Sequence, residues 1–372
     1  MVDGGLYIHF PWCVKKCPYC DFNSHPLRDD VDQGVYLRAL LQDWDLQQRI
    51  FHPDFAERPF KTVFLGGGTP SLFHVQHVNQ LLELTAGGAD EVTMELNPGA
   101  REYGDLAAYR QAGVNRLSIG AQSFENPMLQ ALGRIHDADQ TLTAFEVARA
   151  SGFNNINVDL MWGLPGQEVA QALSDLRQAI ALEPEHISWY QLTIEAKTEF
   201  AKRPPLLPVD RTLLDIEQAG LELLEAEGYR RYEISAFAKP GRECLHNLNY
   251  WSFGDYVGLG AGAHGKLTHR GRRLRTRQAS QPRLYQSDPE RLGVQDIAED
   301  ELALEFMMNA LRLVQGVDQA SFVSRTGLPW SSIAPTWQAL VEQGLVHAQH
   351  CGTTPMGLRY LDSVLTSFVT TR

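Results

Sequence analysis

The chain has 372 residues, 44% of them hydrophobic, which supports one large α/β domain plus a smaller one and argues against disorder. A formal net charge of −12 argues against general nucleic-acid binding, which needs a basic face. Five cysteines are too few, and odd in number, for a disulfide framework, and they point to thiolate chemistry in a reducing compartment.

The first residues lack the basic-then-apolar pattern of a signal peptide, and no run approaches about 18 uninterrupted apolar residues. A cytoplasmic chain is expected, with any membrane contact peripheral. Leu6-Tyr7-Ile8-His9-Phe10 reads as the first strand. It leads into Cys13-Val14-Lys15-Lys16-Cys17-Pro18-Tyr19-Cys20, three thiols spaced C-x3-C-x2-C. Soft thiolates on one loop suit an iron–sulfur cluster or zinc. Structural zinc wants four closed ligands, and only His9 or His25 lies close enough to supply a fourth. The count therefore favours a cluster with one iron left open.

Apolar spacing through Val31, Val35, Leu40, Leu41 and Trp44 predicts a helix over 30–49. Strand 62–65 ends in Gly66-Gly67-Gly68-Thr69-Pro70, with a helix over 72–84 capped by Ser71. Strand 92–96 carries Glu95 and turns at Asn97; a helix over 102–111 closes at Gly113. Strand 116–120 leads to Gln122 and helical pieces over 128–150. Strand 156–161, with Asp159, feeds a helix to 182, and strand 186–192 precedes a proline-rich insertion and a helix over 213–227. Six strand–helix units predict a parallel sheet, either an open partial (β/α)6 TIM-like barrel or a flat doubly wound sheet. In both, loops at the carboxyl ends of the strands carry the chemistry, and the unusual residues sit there.

From Tyr232 the character changes. Residues 244–251 are polar and aromatic, 256–265 are rich in small residues, and 269–277 are basic. Helices over 301–313, 318–325, 330–343 and 356–368, with a hairpin of 345–347 and 351–353, predict a winged-helix-like C-terminal domain. The expected division is 1–235, a linking segment 236–298, and 299–372. Cys351 reads as a structural thiol.

The cysteine spacing after a strand, with Tyr19 as the aromatic, resembles the radical S-adenosylmethionine (SAM) superfamily. The resemblance implies an α/β radical SAM core with a [4Fe-4S] cluster on Cys13, Cys17 and Cys20, SAM on the open iron, and Tyr19 near the adenine. It implies that Gly67, Gly68 and Thr69 hold the SAM amino group and that Glu95 binds the ribose or the amine. The segments around Gln122, Arg134 and Asp159, with Tyr7, are similar to SAM-contacting parts of the coproporphyrinogen oxidase-like branch. Two features depart from the oxidases of that branch. Phe22 stands where they carry a further cysteine, and the chain begins almost at the first strand, where they have an extension. Decarboxylase activity is therefore in doubt.

His246-Asn247-Leu248-Asn249-Tyr250-Trp251 and the run 305–312 instead resemble the heme chaperones of the same branch. This implies heme bound by His246, with Tyr250 and Trp251 flanking the porphyrin and Cys244 ranked second as ligand. The arginines of 270–277 are either a propionate contact or, the favoured reading, a solvated surface. The implied function is delivery of heme to acceptor proteins, respiratory ones foremost and at the membrane surface, by a chain that dimerises. The alternative is a radical SAM enzyme acting on a porphyrinogen, a coproporphyrinogen III dehydrogenase or decarboxylase. A zinc-stabilised DNA-binding protein ranks last, and the acidic charge speaks against it.

Overall fold

Short runs, several of them rich in β-branched and aromatic residues, form the strands. They are β1 (Gly4–Phe10), β2 (Thr62–Gly67), β3 (Glu91–Leu96), β4 (Arg116–Gln122), β5 (Ile156–Trp162), β6 (His186–Gln191), β7 (Arg230–Glu233), β8 (Ala236–Ala238), β9 (Asp255–Leu259), β10 (His264–His269), β11 (Arg272–Arg277) and β12 (Gly293–Asp296). The computed structural model describes residues 4–28, 31–51, 60–99 and 102–369. The six expected strands, β1 to β6, are parallel, and each pairs with the next in chain order. The crossovers are helical, including Gln33–Phe51, Val75–Thr85, Ala138–Ala150, Val169–Ala181 and Asp210–Ala226. The expected helix start at Asp30 lies outside the described residues.

The order β12-β11-β10-β9-β1-β2-β3-β4-β5-β6-β8-β7 is an open sheet, a partial barrel extended at both edges. β9 is a seventh parallel strand, on the free side of β1. Residues 236–298 thus do more than link, for they contribute β8 to β12 to the same sheet. Asp43 ties this extension to the first helix. Its buried carboxylate accepts from Gly260 N (3.1 Å), Gln278 Nε2 (2.7 Å) and the Tyr285 hydroxyl (2.9 Å), and burial raises its pKa to about 6.

Alternate residues of a strand point to opposite faces. One set, including Met94, Leu117, Ile119, Val158, Leu160, Ile187 and Trp189, is buried in the main core with Val78, Leu82, Phe145, Leu176 and Ile216 of the helices. The other set, Glu95, Ser118, Gly120, Gln122, Asp159, Ser188 and Tyr190, lines a cavity. Sequence alternation therefore separates the core from the site.

The C-terminal part has its own core, with Phe306, Phe322, Trp337 and Cys351 fully or nearly buried. Its helices are Glu299–Ala310, Gln319–Thr326, Ala334–Glu342, Pro355–Arg359 and Leu361–Thr366. The single helix expected over 356–368 breaks at Tyr360, and the hairpin reduces to the bridge Val346–Thr353. This part joins the sheet through the bridge Glu233–Leu313 and through Arg275–Glu305 (2.5 Å).

Gly220 marks a close helix–sheet approach, since a Cβ there would lie 2.0 Å from Trp189 Cη2. On an open helix Gly→Ala stabilises. Here Gly220→Ala is expected to destabilise by about 1–3 kcal/mol through overpacking, read as a lower urea midpoint with unchanged m-value.

Candidate functional site

The cysteine loop leaves β1 and is pinned at its far end. His25 N donates to Pro11 O (2.7 Å), and Leu27 N to Cys13 O (2.7 Å). Asn23 Nδ2 reaches Ala261 O and Ser280 O, both at 2.9 Å. Cys13, Cys17 and Cys20 are free, half-buried thiols that line one cavity of about 490 Å³. Burial pushes the Cys13 thiol up to about 11 and raises Cys20 as well. Arg134 Nη1 approaches Cys17 Sγ at 3.6 Å, and Ser24 Oγ lies 3.7 Å from Cys20 Sγ. Among the described residues no three His, Cys, Asp or Glu side chains converge on a single ion. His9 and His25 both turn to Asn23. Three unpaired thiols on one cavity wall with a cationic neighbour fit an iron–sulfur cluster, in which different irons take different thiolates.

Around the same cavity lie Tyr19, Gly67, Gly68, Glu95, Gln122, Arg134 and Asp159, drawn from the cysteine loop, from β2 to β5 and, for Arg134, from the turn after the helix Asn126–Ala131. Gly67 has φ +110° and must be glycine, because a Cβ would lie 2.4 Å from the His9 ring. Its amide donates to Glu95 Oε2 at 3.0 Å. Burial, and secondarily Asp159, raise the Glu95 pKa to about 7. Asp159 accepts from Ser118 Oγ (2.9 Å) and Asn157 Nδ2 (2.8 Å). Gln122 sits at φ +70°, at the irregular end of β4, and accepts from the Tyr190 hydroxyl at 2.7 Å. A non-glycine residue in that region carries strain, a frequent mark of a ligand site. Arg134 donates to Asn97 Oδ1 (2.5 Å) and Gly120 O (2.9 Å), while its Nε is buried without a partner among the described residues. Thr69 is buried behind the loop, accepting from Asn97 Nδ2 at 2.8 Å.

Tyr7 lies elsewhere, on a second cavity of about 360 Å³ together with His9, His246, Tyr250, Tyr256 and His264. Phe22, Gly67 and Glu95 line both cavities and form the wall between them. His246 and Tyr250 belong to the helix Leu245–Trp251, whose first amides are held by Glu91. His246 N and Leu245 N each donate to that carboxylate at 3.0 Å. The same carboxylate accepts from Cys244 Sγ at 3.4 Å, so this thiol is fully buried in a structural contact and lines neither cavity. That corrects its ranking as the second heme ligand. His246 Nδ1 is hydrogen-bonded to Thr62 Oγ1 at 2.9 Å, and burial lowers its pKa to about 4, so the imidazole is neutral.

Trp251 faces the first cavity with Asn247, under the Arg312 guanidinium at 4.3 Å from its ring centroid. Arg312 also pairs with Glu233 at 3.1 Å. Within the basic run, Arg270, Arg272 and Arg277 are exposed, while Arg273 and Arg275 are partly buried. Arg272 pairs with Asp296, Arg273 donates to Arg325 O (2.9 Å) and Ser324 O (3.1 Å), and Arg275 pairs with Glu305. Residues that line the first cavity without having been singled out include Ser118, Ser188, Tyr190 and Arg312. Period-two alternation from Glu95 and Asp159 was the available signal for the first three.

Because the Glu95 pKa is raised, its protonated form favours the fold. That contribution is complete below the ordinary carboxylate range and is lost as pH rises through about 7. Glu95→Gln in the ligand-free protein is expected to be more stable than the parent at pH 8, by roughly 1–2 kcal/mol, with the gap closing at pH 5. Paired urea unfolding curves at the two pH values measure it, and equal gaps would refute it.

Comparison with known proteins agrees with this geometry. The radical SAM superfamily model matches residues 7–179, and the HemN C-terminal domain model matches 297–360. The solved structure of coproporphyrinogen III oxidase (HemN) from Escherichia coli superposes with a TM-score of 0.81 at 24% identity, covering 99% of this chain and 90% of that one, which speaks to the fold alone. The mitochondrial radical S-adenosyl methionine domain-containing protein 1 of Bos taurus is 35% identical, over 98% of this chain and 87% of its own. The heme chaperone HemW of Bacillus subtilis is 35% identical over 92% of both chains. With 45% identity to the heme chaperone HemW of Escherichia coli, over 98% of this chain and 97% of that one, the chain belongs to the HemW family.

Proposed function

We propose that the chain is a heme chaperone. It binds heme in the cavity that His246 and Tyr250 line and passes it to acceptor proteins, respiratory heme proteins among them. The observation that carries this reading is His246, a neutral imidazole on an aromatic cavity wall with one ring nitrogen fixed by Thr62. With Nδ1 held by Thr62 Oγ1, Nε2 is the ring nitrogen that would serve as an iron donor, in the tautomer whose Nδ1–H donates to that hydroxyl. Family membership supports the same conclusion.

Cys13, Cys17 and Cys20 would hold a [4Fe-4S] cluster, and Glu95, Gln122, Asp159 and the backbone at Gly67 and Gly68 would hold SAM in the larger cavity. When bound, the cluster supplies a redox centre with an open iron for SAM. Arg134 orients Cys17 and braces Asn97 and Gly120 beneath that ligand. Phe22 puts an apolar side chain, and no further thiol, beside the site. That favours an accessory role over porphyrinogen decarboxylation. Work in the cytoplasm with only peripheral membrane contact completes the reading, and no described helix is long and apolar enough to cross a membrane. A homodimer belongs to the reading too, with size-exclusion chromatography coupled to light scattering as its check.

Three measurements test it. His246→Ala is expected to weaken hemin binding by about tenfold or more while the iron–sulfur absorbance stays intact; matching titrations of both forms would sink the assignment. Cys17→Ser is expected to lose that absorbance and retain hemin binding. Anaerobic incubation of the reduced, cluster-loaded protein with coproporphyrinogen III is expected to yield no decarboxylated product, and turnover would favour the enzyme instead.

A further inference from the structure

We propose that His264 is a second heme-iron ligand, on the solvent side of the cavity that His246 lines; this rests on the heme-chaperone reading. Three histidines border that cavity. His9 has no nitrogen to offer, since its Nε2 donates to Asn23 O and its Nδ1 accepts from the Tyr7 hydroxyl, both at 2.9 Å. His246 has one nitrogen engaged, by Thr62. His264 has neither ring nitrogen hydrogen-bonded among the described residues, although its ring lies on the cavity and is exposed. Two histidines with an available nitrogen match the two axial positions of a heme iron.

The backbone that carries His264 is rigidly placed. It opens β10 directly after the turn Gly260–Gly262, where Ala263 N donates to Gly260 O at 3.0 Å. Asn23 of the cysteine loop clamps this turn through Ala261 O. Gly262, at φ +76°, lies so close that a Cβ would be 2.4 Å from Asn23 Nδ2. Tyr36 bridges the other side, donating to His9 O (2.7 Å) and accepting from Ala261 N (2.9 Å). A tightly packed turn that ends in an unbonded, exposed imidazole is built to present that ring. Partial burial, with Arg277 and Arg275 nearby, holds its pKa below the usual histidine range, which keeps the ligand form neutral. Phe22, Tyr250 and Tyr256 supply aromatic walls for a flat macrocycle.

The two ligands differ in a way that suits a cargo. His246 is buried at 7% exposure and bonded to the sheet, so it anchors. His264 faces solvent, so it is the ligand that an acceptor's own side chain can displace.

The test uses the full chain titrated with hemin, followed by absorption and electron paramagnetic resonance spectra and by release to apomyoglobin. The parent is expected to bind one hemin as a six-coordinate, low-spin ferric species. His264→Ala is expected to give a high-spin spectrum and to release hemin at least about tenfold faster, since affinity changes appear mostly in the off-rate. Added imidazole is expected to restore the low-spin spectrum, which a misfolded variant would not allow. A low-spin spectrum and an unchanged release rate in His264→Ala overturn the proposal, as does a five-coordinate parent. A parent that binds no hemin would overturn the chaperone reading itself and this proposal with it, whereas binding without dependence on His264 overturns only the second ligand.

Discussion

One hydrogen bond divides the functional part of the molecule. Gly67 N donates to Glu95 Oε2 across the carboxyl ends of β2 and β3, with the His9 ring filling the space where any other residue would carry a Cβ. On one side of this wall lie the three thiols, and on the other lies His246. The wall is thin because a glycine backbone, one carboxylate and the Phe22 ring make it. The carboxylate is also poised near neutrality: burial raises its pKa to about 7, so small changes in charge on either side alter its protonation.

The helix Leu245–Trp251 uses that partition. Residues four apart lie on one helical face. His246 and Tyr250 form one such pair and line the smaller cavity, while Asn247 and Trp251 form the adjacent pair and line the larger one. A seven-residue helix has little stability of its own. Glu91 compensates by accepting from two of its first amides, and the carboxylate is itself buried 4.0 Å from the Arg116 guanidinium. The spacing of the motif is thus a geometric device for addressing two sites from one short element.

Local pattern made much of this legible. The strand–helix alternation of the first 190 residues is written in short apolar runs, and the sheet pairs those runs in chain order. Thiol spacing and strand-end polar residues marked the larger cavity for the same reason, since consecutive parallel strands bring their ends together. Non-local pairing was not legible. Nothing near Tyr256 in sequence signals that β9 lies beside β1, some 250 residues earlier, so 236–298 read as a linker. The glycines at the end of β2 were read as contacts for a SAM amino group, and the further demand on Gly67, the His9 ring packed against it, depends on a fold that local sequence does not show. The favoured reading of the β11 arginines as a solvated surface holds for Arg272 and Arg277, which are exposed, whereas the partly buried Arg273 and Arg275 brace neighbouring elements, a role that depends on where 305 and 325 fold.

Phe22 gains meaning from its position. It stands where the resembling oxidases carry a further cysteine, and it lines both cavities while remaining 59% exposed. Part of that apolar surface borders the smaller cavity. A flat macrocycle in the smaller cavity would cover one face of this ring. The Asn23 clamp fixes the residue next to it against the His264 turn. Relative to those oxidases, a phenyl in place of a thiol alters the boundary that the two cavities share, because Phe22 lines both of them. An apolar ring at that boundary leaves the larger cavity with three thiols and gives the smaller one a further aromatic wall beside Tyr250 and Tyr256.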